Sequence, residues 1–200
     1  MSSILRLRWF QVVVGLLAVL VVGLVVLRRD RQLEVSVLDL IERFPDAQKR
    51  TTMGTLHDGF AVVEVTIAGE TKRCIFAHPF SRINWVIEQV PPNAVLKTMV
   101  GMRQESWSDF GDGALFRVGV SDGERYEEFF KQTIDPYNVE TDRRWFPVEV
   151  DLLTYAGRRV EVIFNTEPGP HGNSVADAAL WGDPRLEWAN GHRPSVSAEP

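Results

Sequence analysis

The chain has 200 residues, a formal net charge of −5 at pH 7 and a single cysteine, Cys74. Five arginines and one aspartate fall in the first 32 residues, so the remainder carries 17 basic and 26 acidic side chains. Such an acidic domain is repelled by phosphate, which argues against nucleic acid as a partner. One cysteine excludes an intramolecular disulfide, and its apolar neighbours predict that the thiol is buried.

The first predicted element is a membrane helix at residues 9–27, which read WFQVVVGLLAVLVVGLVVL. At ~1.5 Å per residue this run is roughly 28 Å long, close to the ~30 Å hydrocarbon core of a bilayer. An arginine-rich stretch at 28–31 follows directly, with no small-residue cleavage site, which favours an uncleaved anchor over a signal peptide. The sequence therefore predicts a tail at 1–8, a single-pass transmembrane helix and a lipid bilayer partner. Arginines flank both ends almost equally, so charge does not set the orientation.

The next segment, 28–57, is predicted to lie beside the membrane and to contain a short amphipathic helix at 33–44. Its apolar residues follow helical spacing before a proline at position 45: Leu33, Val37, Leu40, Ile41 and Phe44. The polar face is acidic, unlike that of a helix lying on lipid. The pattern thus favours packing of this helix on the following domain.

From residue 60 onward the apolar pattern has period two and is interrupted by turn dipeptides. Nine strands are predicted: 60–67, 71–77, 82–90, 94–102, 113–121, 126–134, 145–153, 158–165 and 175–186. Many short strands with no helix between them are typical of an all-β antiparallel β-sandwich or jelly roll rather than a parallel sheet. We expect the sandwich to span 58–188 and a flexible tail to occupy 189–200.

The sequence carries no recognisable catalytic or metal-binding motif. Its four histidines lack metal-ligand spacing, and no phosphate-binding loop or nucleophile elbow is present. Acidic residues are plentiful, and two facing carboxylates could in principle hydrolyse a glycosidic bond. Asp109, Asp112 and Asp177 could instead supply oxygen ligands to Ca²⁺. No cofactor is predicted beyond this possible structural calcium.

The six tryptophans are numerous for this length, and an indole suits either a core or the apolar face of a sugar. Packing in the core is the alternative for each ring; if one ring is exposed for a ligand, we expect it to be Trp107, which lies in a turn-rich segment. Asp109 and Asp112 follow it, and the glycines at 111 and 113 permit close approach of a ligand to the backbone. Trp107, Asp109 and Asp112 are therefore the predicted ligand-binding residues.

Residues 76–186 contain motifs whose order is similar to that of a known family. They include an Asp-Gly-x-x-Phe strand, an Asp-Leu-x-x-Tyr-Ala-Gly turn and a closing Trp-Gly-x-Pro strand. The motif residues are Asp112, Gly113 and Phe116; Asp151, Leu152, Tyr155, Ala156 and Gly157; and Trp181, Gly182 and Pro184. The chain resembles bacterial membrane-anchored carbohydrate-binding-module-like jelly rolls, similar to galactose-binding-like sandwiches. The resemblance implies that these residues are scaffold positions in a domain of the cell envelope, outside the cytoplasm.

Three functions are compatible with these features. The first is a membrane-anchored, non-catalytic module that binds glycan or envelope polysaccharide. The second is a structural or docking subunit that contacts another envelope membrane protein and takes no small ligand. A hydrolase is the third, and it would need two carboxylates facing each other across a cleft. Exposed aromatic rings beside polar side chains would favour the first function over the other two.

Overall fold

The computed structural model describes residues 35–52, 54–108 and 110–189. In this part of the chain, eleven strands form two antiparallel sheets. The strands are β1 (Val35–Asp39), β2 (Gln48–Thr51), β3 (Phe60–Ile67), β4 (Glu70–Ala77), β5 (Ser81–Ile87), β6 (Val95–Met102), β7 (Ala114–Ser121), β8 (Tyr126–Ile134), β9 (Phe146–Asp151), β10 (Val160–Pro168) and β11 (Ala179–Ala189). One sheet has the order β3-β4-β11-β6-β9, with β1 also paired to β11, and the other has the order β2-β5-β10-β7-β8.

Helical structure in the described residues is limited to short connections. Helix α1 (Leu56–Gly59) is held by reciprocal hydrogen bonds between Thr55 and Asp58 at its start. Four single 3-10 turns complete the set: Phe44–Asp46, Gln104–Trp107, Glu140–Asp142 and Leu153–Tyr155. The predicted antiparallel β-sandwich is confirmed, and every one of the nine predicted strands is present with small shifts at its ends.

The core between the sheets is centred on Trp181 of β11, which is fully buried. Its ring stacks on Phe164 with centroids 4.3 Å apart, and the edge of Phe116 meets it at 5.1 Å. The indole N–H donates to Thr166 Oγ1 over 3.0 Å, which satisfies the polar atom of a buried aromatic residue. Side chains from both sheets thus meet around one ring.

A smaller apolar cluster covers the outer face of the sheet that contains β11. Trp145 lies over Gly101 and Gly182, where a Cβ atom would come within 3.0 Å and 3.2 Å of its ring, closer than side chains usually pack. The indole N–H of Trp145 donates to the backbone oxygen of Glu70 over 3.0 Å. Cys74 is fully buried in this cluster, as predicted, and burial raises the pKa of its thiol to about 12.

The predicted amphipathic helix at 33–44 is wrong over its described part. Residues Val35–Asp39 are extended and pair with the C-terminal half of β11, and Asp39 Oδ1 then accepts from the backbone N–H of Ile41 in a turn. Leu40 and Ile41 are buried, whereas Val37 is 54% exposed. Helical spacing in so short a segment was overridden by the free edge of β11, which gains backbone hydrogen bonds from a strand.

The prediction of a juxtamembrane segment at 28–57 also missed β2, which pairs with β5 in the second sheet. No helix among residues 35–189 of the described chain is long and apolar enough to cross a membrane. The predicted tail at 1–8, the transmembrane helix at 9–27 and the C-terminal tail beyond Ala189 lie outside the described residues.

Candidate functional site

Three loops meet at one end of the sandwich, and we call them the loop platform. The first residue of β7 pairs with the last residues of β8 and β10, and the first residue of β11 pairs with the last residue of β6. This register brings together the connections that follow β6, β8 and β10. The loop platform therefore consists of residues 103–113, 135–145 and 169–178.

Two aspartates are buried beneath the loop platform. Asp112 Oδ2 accepts from the backbone N–H of His171 over 2.6 Å and lies 3.3 Å from His171 Nδ1. Asp112 Oδ1 and both carboxylate oxygens of Asp177 are buried without a hydrogen-bond partner in the described part of the chain. Buried polar atoms are nearly always paired, so three unpartnered oxygens in one region suggest a function for the site.

The environment of Asp177 strongly disfavours its charged form. The side chain is 2% exposed, and this burial raises the pKa of its carboxyl to about 7. The negative charges of Asp112 and Asp135 contribute to this rise. Near neutral pH, this carboxyl therefore carries only part of a full charge.

Glycines allow the loops to pack closely around these carboxylates. A side chain at Gly169 would collide with the backbone oxygens of Asp112 and Gly113. Gly113 itself adopts a φ of +81°, which strains other residues, and a Cβ there would strike the backbone oxygen of Ile134. The Asp-Gly pair of the predicted motif thus forms a tight junction between two loops.

The outer surface of the loop platform carries two aromatic rings. Phe110 is 82% exposed, and its ring centroid lies 5.8 Å from that of Tyr137 at an interplanar angle of 49°. The Asn173 side chain donates to the backbone oxygen of Phe110 over 3.1 Å and accepts from the N–H of Val175 over 2.9 Å. The loops beneath the exposed Phe110 ring and the half-buried Tyr137 ring are therefore tied together by side-chain amide hydrogen bonds.

A second amide ties the remaining loop of the platform. Asn138 Nδ2 donates to Asp135 Oδ2 over 2.8 Å and to the backbone oxygen of Gly111 over 3.4 Å. Because Asn138 follows β8 and Gly111 precedes β7, this contact joins two loops distant in sequence. Aromatic faces with polar groups at their edges are typical of sites that bind small polar ligands.

The three predicted ligand-binding residues have different surroundings. Trp107 is half-buried, its indole N–H donates to the backbone oxygen of Met102 over 3.2 Å, and Arg143 lies 5.7 Å from its ring centroid. Asp112 lies beneath the loops, and Asp109 falls outside the described residues. In the described part of the chain, every tryptophan is buried or half-buried.

Sequence reasoning selected a loop that belongs to the loop platform but missed the ring that is exposed there. Phe110 lies inside the segment from Trp107 to Asp112, yet nothing in the residue pattern distinguishes an outward phenylalanine from an inward tryptophan. Tyr137 was missed because its proximity to Phe110 depends on the pairing of β7 with β8. The turn that carries Tyr137 offers no periodic signal of its own.

The buried aspartates fit a cation better than they fit hydrolysis. Hydrolysis would require two carboxylates reaching a substrate across a cleft, whereas Asp112 and Asp177 are covered by the loops. Ca²⁺ accepts six to eight oxygen ligands in flexible geometry. Residues 35–189 contain no described group of three or more His, Cys, Asp or Glu placed to hold a metal, so backbone and water oxygens would have to complete the shell.

Comparison with known proteins gives one sequence relative and several similar folds. No protein-family model matches the chain. A curated protein of Archaeoglobus fulgidus, described as uncharacterized, is 40% identical over 129 residues, which cover 61% of this chain. The chain spans about a third of the length of that relative, 32%.

Among solved structures, CBM51 from Clostridium perfringens GH95 in complex with methyl-galactose aligns with a TM-score of 0.53 and 19% identity. The alignment covers 76% of this chain and 99% of that one. TmCBM61 in complex with beta-1,4-galactotriose aligns with a TM-score of 0.49 and 12% identity, over 73% of this chain and 90% of that one. The structural neighbours are carbohydrate-binding modules, and the first alignment shows a shared β-sandwich fold.

The raised pKa of Asp177 predicts that the metal-free domain loses stability as pH rises. The folded carboxyl has a pKa of about 7 against a usual value of 3.8, so between these values the folded state binds the extra proton. In EDTA, the thermal midpoint should therefore fall as the pH rises from about 4 to about 7, and the free energy of unfolding should decrease by as much as about 4 kcal/mol.

Asp177→Asn should remove most of this dependence, because the amide does not ionise, and calorimetry across the pH range measures it. Asp122→Asn is the matched control. Backbone hydrogen bonds from Arg125 and Glu124 lower the pKa of Asp122, so its ionisation affects stability only at acidic pH. An unchanged pH slope in Asp177→Asn would show that another group titrates.

Proposed function

We propose that this chain is a non-catalytic jelly-roll module that binds glycan through the loop platform. The observation that carries the proposal is the exposed Phe110 ring beside Tyr137, on loops tied together by Asn138 and Asn173. A sugar presents an apolar C–H face that packs on an aromatic ring and hydroxyls that need polar partners. The loop platform offers both kinds of group on one surface.

The residues of the loop platform have separate roles in this proposal. Phe110 provides the stacking face, and the hydroxyl of Tyr137 and the exposed imidazole of His171 provide hydrogen-bonding groups. Trp107, Asp109 and Asp112 belong to the same ligand-binding loop, where Trp107 supports it from below and Asp112 holds it against His171. Such a site binds weakly, because stacking and a few hydrated hydrogen bonds barely exceed the cost of association.

The fold likeness supports the class of function that we propose. CBM51 from Clostridium perfringens GH95 is a carbohydrate-binding module solved with methyl-galactose, and it shares the sandwich with this chain. At 19% identity, this likeness does not transfer a ligand. The proposal of a glycan ligand for this chain therefore depends on the exposed Phe110 ring, the half-buried Tyr137 ring beside it and the loops that carry them.

We expect Phe110→Ala to abolish retention on the neutral glycan that the native chain binds, because the stacking face is lost. The thermal midpoint should stay within about one degree of native, since the ring is 82% exposed. Affinity electrophoresis or a glycan array with galactose-, xylose- and N-acetylglucosamine-containing oligosaccharides measures retention, with the full-length chain in detergent.

Phe129→Ala is the matched control, because Phe129 is an exposed phenylalanine of β8 outside the loop platform. Trp107→Ala should lower both retention and stability, because the half-buried ring supports the loop. Equal retention of native chain and Phe110→Ala would refute the loop platform as the binding site. Absence of retention on every glycan would favour a docking subunit instead.

Calcium is the second part of the proposal, with Asp112 and Asp177 as its carboxylate ligands. Their unpartnered oxygens would gain partners, and a dication would offset the repulsion that raises the pKa of Asp177. Backbone and water oxygens would complete the shell. A bound ion would hold together the loops from which Phe110 projects.

Added CaCl₂ should therefore raise the thermal midpoint of the EDTA-treated chain at pH 7.5. Saturation at a hundred times the dissociation constant corresponds to about 2.7 kcal/mol. Asp112→Asn and Asp177→Asn should each abolish the rise, and MgCl₂ should produce a much smaller one, because Mg²⁺ demands stricter geometry. Calorimetry with and without each ion decides the matter, and an unchanged midpoint in CaCl₂ would exclude a structural calcium.

We further propose that residues 9–27 anchor the module in a membrane and that the sandwich lies outside the cytoplasm. The apolar run supports the anchor, and the resemblance to envelope sandwiches supports the orientation. The full chain should remain in the membrane pellet after an alkaline carbonate wash, and protease added to intact spheroplasts should degrade the sandwich. Release by carbonate would contradict the anchor, and protection until lysis would reverse the orientation.

A further inference from the structure

A second concave surface, which we call the β5 groove, lies where β2 ends, β5 begins and β10 ends. It has a volume of about 660 Å³. Its lining includes two arginines, an amide and apolar surface, contributed by Arg50, Arg82, Asn165, Phe80 and Leu115. Gly169 lines the groove and also begins one loop of the platform, whereas the other lining residues lie outside the loop platform.

The β5 groove holds two like charges directly opposite each other. Arg50 on β2 pairs in register with Arg82 on β5, and Arg82 in turn faces Asn165 on β10. Like charges at directly opposed positions of antiparallel strands repel and destabilise the pair. The sheet therefore carries an electrostatic cost at this position that an anion would remove.

The same cross-strand row contains an arginine whose charge is fully matched. Arg117 on β7 lies opposite Asn165 and binds the carboxylates of Glu128 at 2.5 Å and Glu167 at 2.9 Å. Among the described residues, neither Arg50 nor Arg82 has a carboxylate within 4.0 Å of its guanidinium nitrogens. Glu167 lines the groove, but Arg117 already engages it.

The hydrogen bonds of Arg82 leave most of its guanidinium free for a ligand. Its Nε donates to Asn84 Oδ1 over 3.0 Å, and Asn84 Nδ2 donates to Glu161 Oε2 over 3.0 Å. These two hydrogen bonds hold the Arg82 side chain in place through the neutral amide of Asn84. A guanidinium fixed in this way can bind a carboxylate or a sulfate with two parallel hydrogen bonds.

Phe80 provides an apolar wall beside the two arginines. It is 45% exposed and adopts a φ of +62°, a conformation that is costly for an aromatic residue. The backbone oxygen of Phe80 accepts from the N–H of Thr52 over 3.3 Å, which ties this turn to the end of β2. The hydroxyl of Ser81, next in sequence, is buried without a partner among the described residues.

We propose that the β5 groove binds an acidic sugar unit of a glycan. The carboxylate or sulfate of the sugar lies between Arg50 and Arg82, the sugar ring packs on Phe80, and Asn165 contacts hydroxyls. This site extends the proposed glycan-binding function from neutral to anionic polymers, and its arginines and Phe80 lie outside the loop platform. The acidity of the domain as a whole opposes densely charged polyanions, whereas one charge per sugar can be matched by two arginines.

The test measures binding of three probes to the full-length chain by calorimetry: oligogalacturonate, its methyl ester and a sulfated galactan oligosaccharide. Oligogalacturonate should bind at least about tenfold more tightly than its methyl ester, which has the same backbone without the charge. Arg50→Gln and Arg82→Gln should each weaken the binding of oligogalacturonate about tenfold. Addition of salt should weaken it as well, because the contact is ionic.

Lys131→Gln is the control, because Lys131 lies opposite Arg117 at the end of the same row and does not line the groove. Arg82→Gln should leave the thermal midpoint unchanged or slightly raised, since it relieves repulsion, whereas loss of a structural contact would lower it. Phe110→Ala should leave the binding of oligogalacturonate unchanged, whereas Phe80→Ala should weaken it.

Equal binding of the acid and its methyl ester would overturn the proposal, as would equal losses in Lys131→Gln and the two arginine variants. Competition by inorganic sulfate at the same strength as the oligosaccharide would also overturn it, because that would indicate a site for small anions. Tighter binding of the sulfated galactan than of oligogalacturonate would support the proposal and identify sulfate as the preferred anion. Retention of neutral glycans alone would refute the β5 groove and leave the loop platform as the binding site.

Discussion

The pairing of β11 with three other strands is the constraint on which the rest of the structure depends. Its first half pairs with β4 and its second half with β1 along one edge, and β6 occupies the other edge. The register of β11 against β6 shifts between Gly182 and Arg185, where Asp183 has a φ of +44°. This irregularity separates the part of β11 that pairs with β4 from the part that pairs with β1. Trp181 enters the core immediately before this shift, so the central aromatic stack is positioned by the same strand.

The strand order also decides where unfavourable electrostatics accumulate. At the loop platform, the loops after β6, β8 and β10 place the buried Asp112 and Asp177 and the partly buried Asp135 close enough for their negative charges to interact. In the β5 groove, the register of β2 with β5 places Arg50 opposite Arg82. Each surface thus brings side chains of like charge together, and their repulsion is an electrostatic cost to the fold.

The all-β fold could be predicted because each strand alternates buried and exposed residues within its own local sequence. In β5, Ile83, Trp85 and Ile87 are buried and the residues between them are not, which is the period-two pattern itself. The first strand could not be predicted in this way, because Val35 and Val37 remain exposed and its pairing partner lies about 150 residues away. When the apolar residues of a short segment fit both a helix and a strand, the tertiary contacts of the segment determine which of the two it forms.

The sequence by itself determined the sandwich class and the burial of Cys74, and it predicted a ligand site in the loop from Trp107 to Asp112. Only the tertiary structure decided which ring of that loop is exposed, since Trp107 found a hydrogen bond to Met102 and an apolar cluster while Phe110 found neither. It alone also placed Arg50 opposite Arg82. Alternation along a strand is a local property, whereas contacts across loops and between strands depend on register, which no single segment encodes.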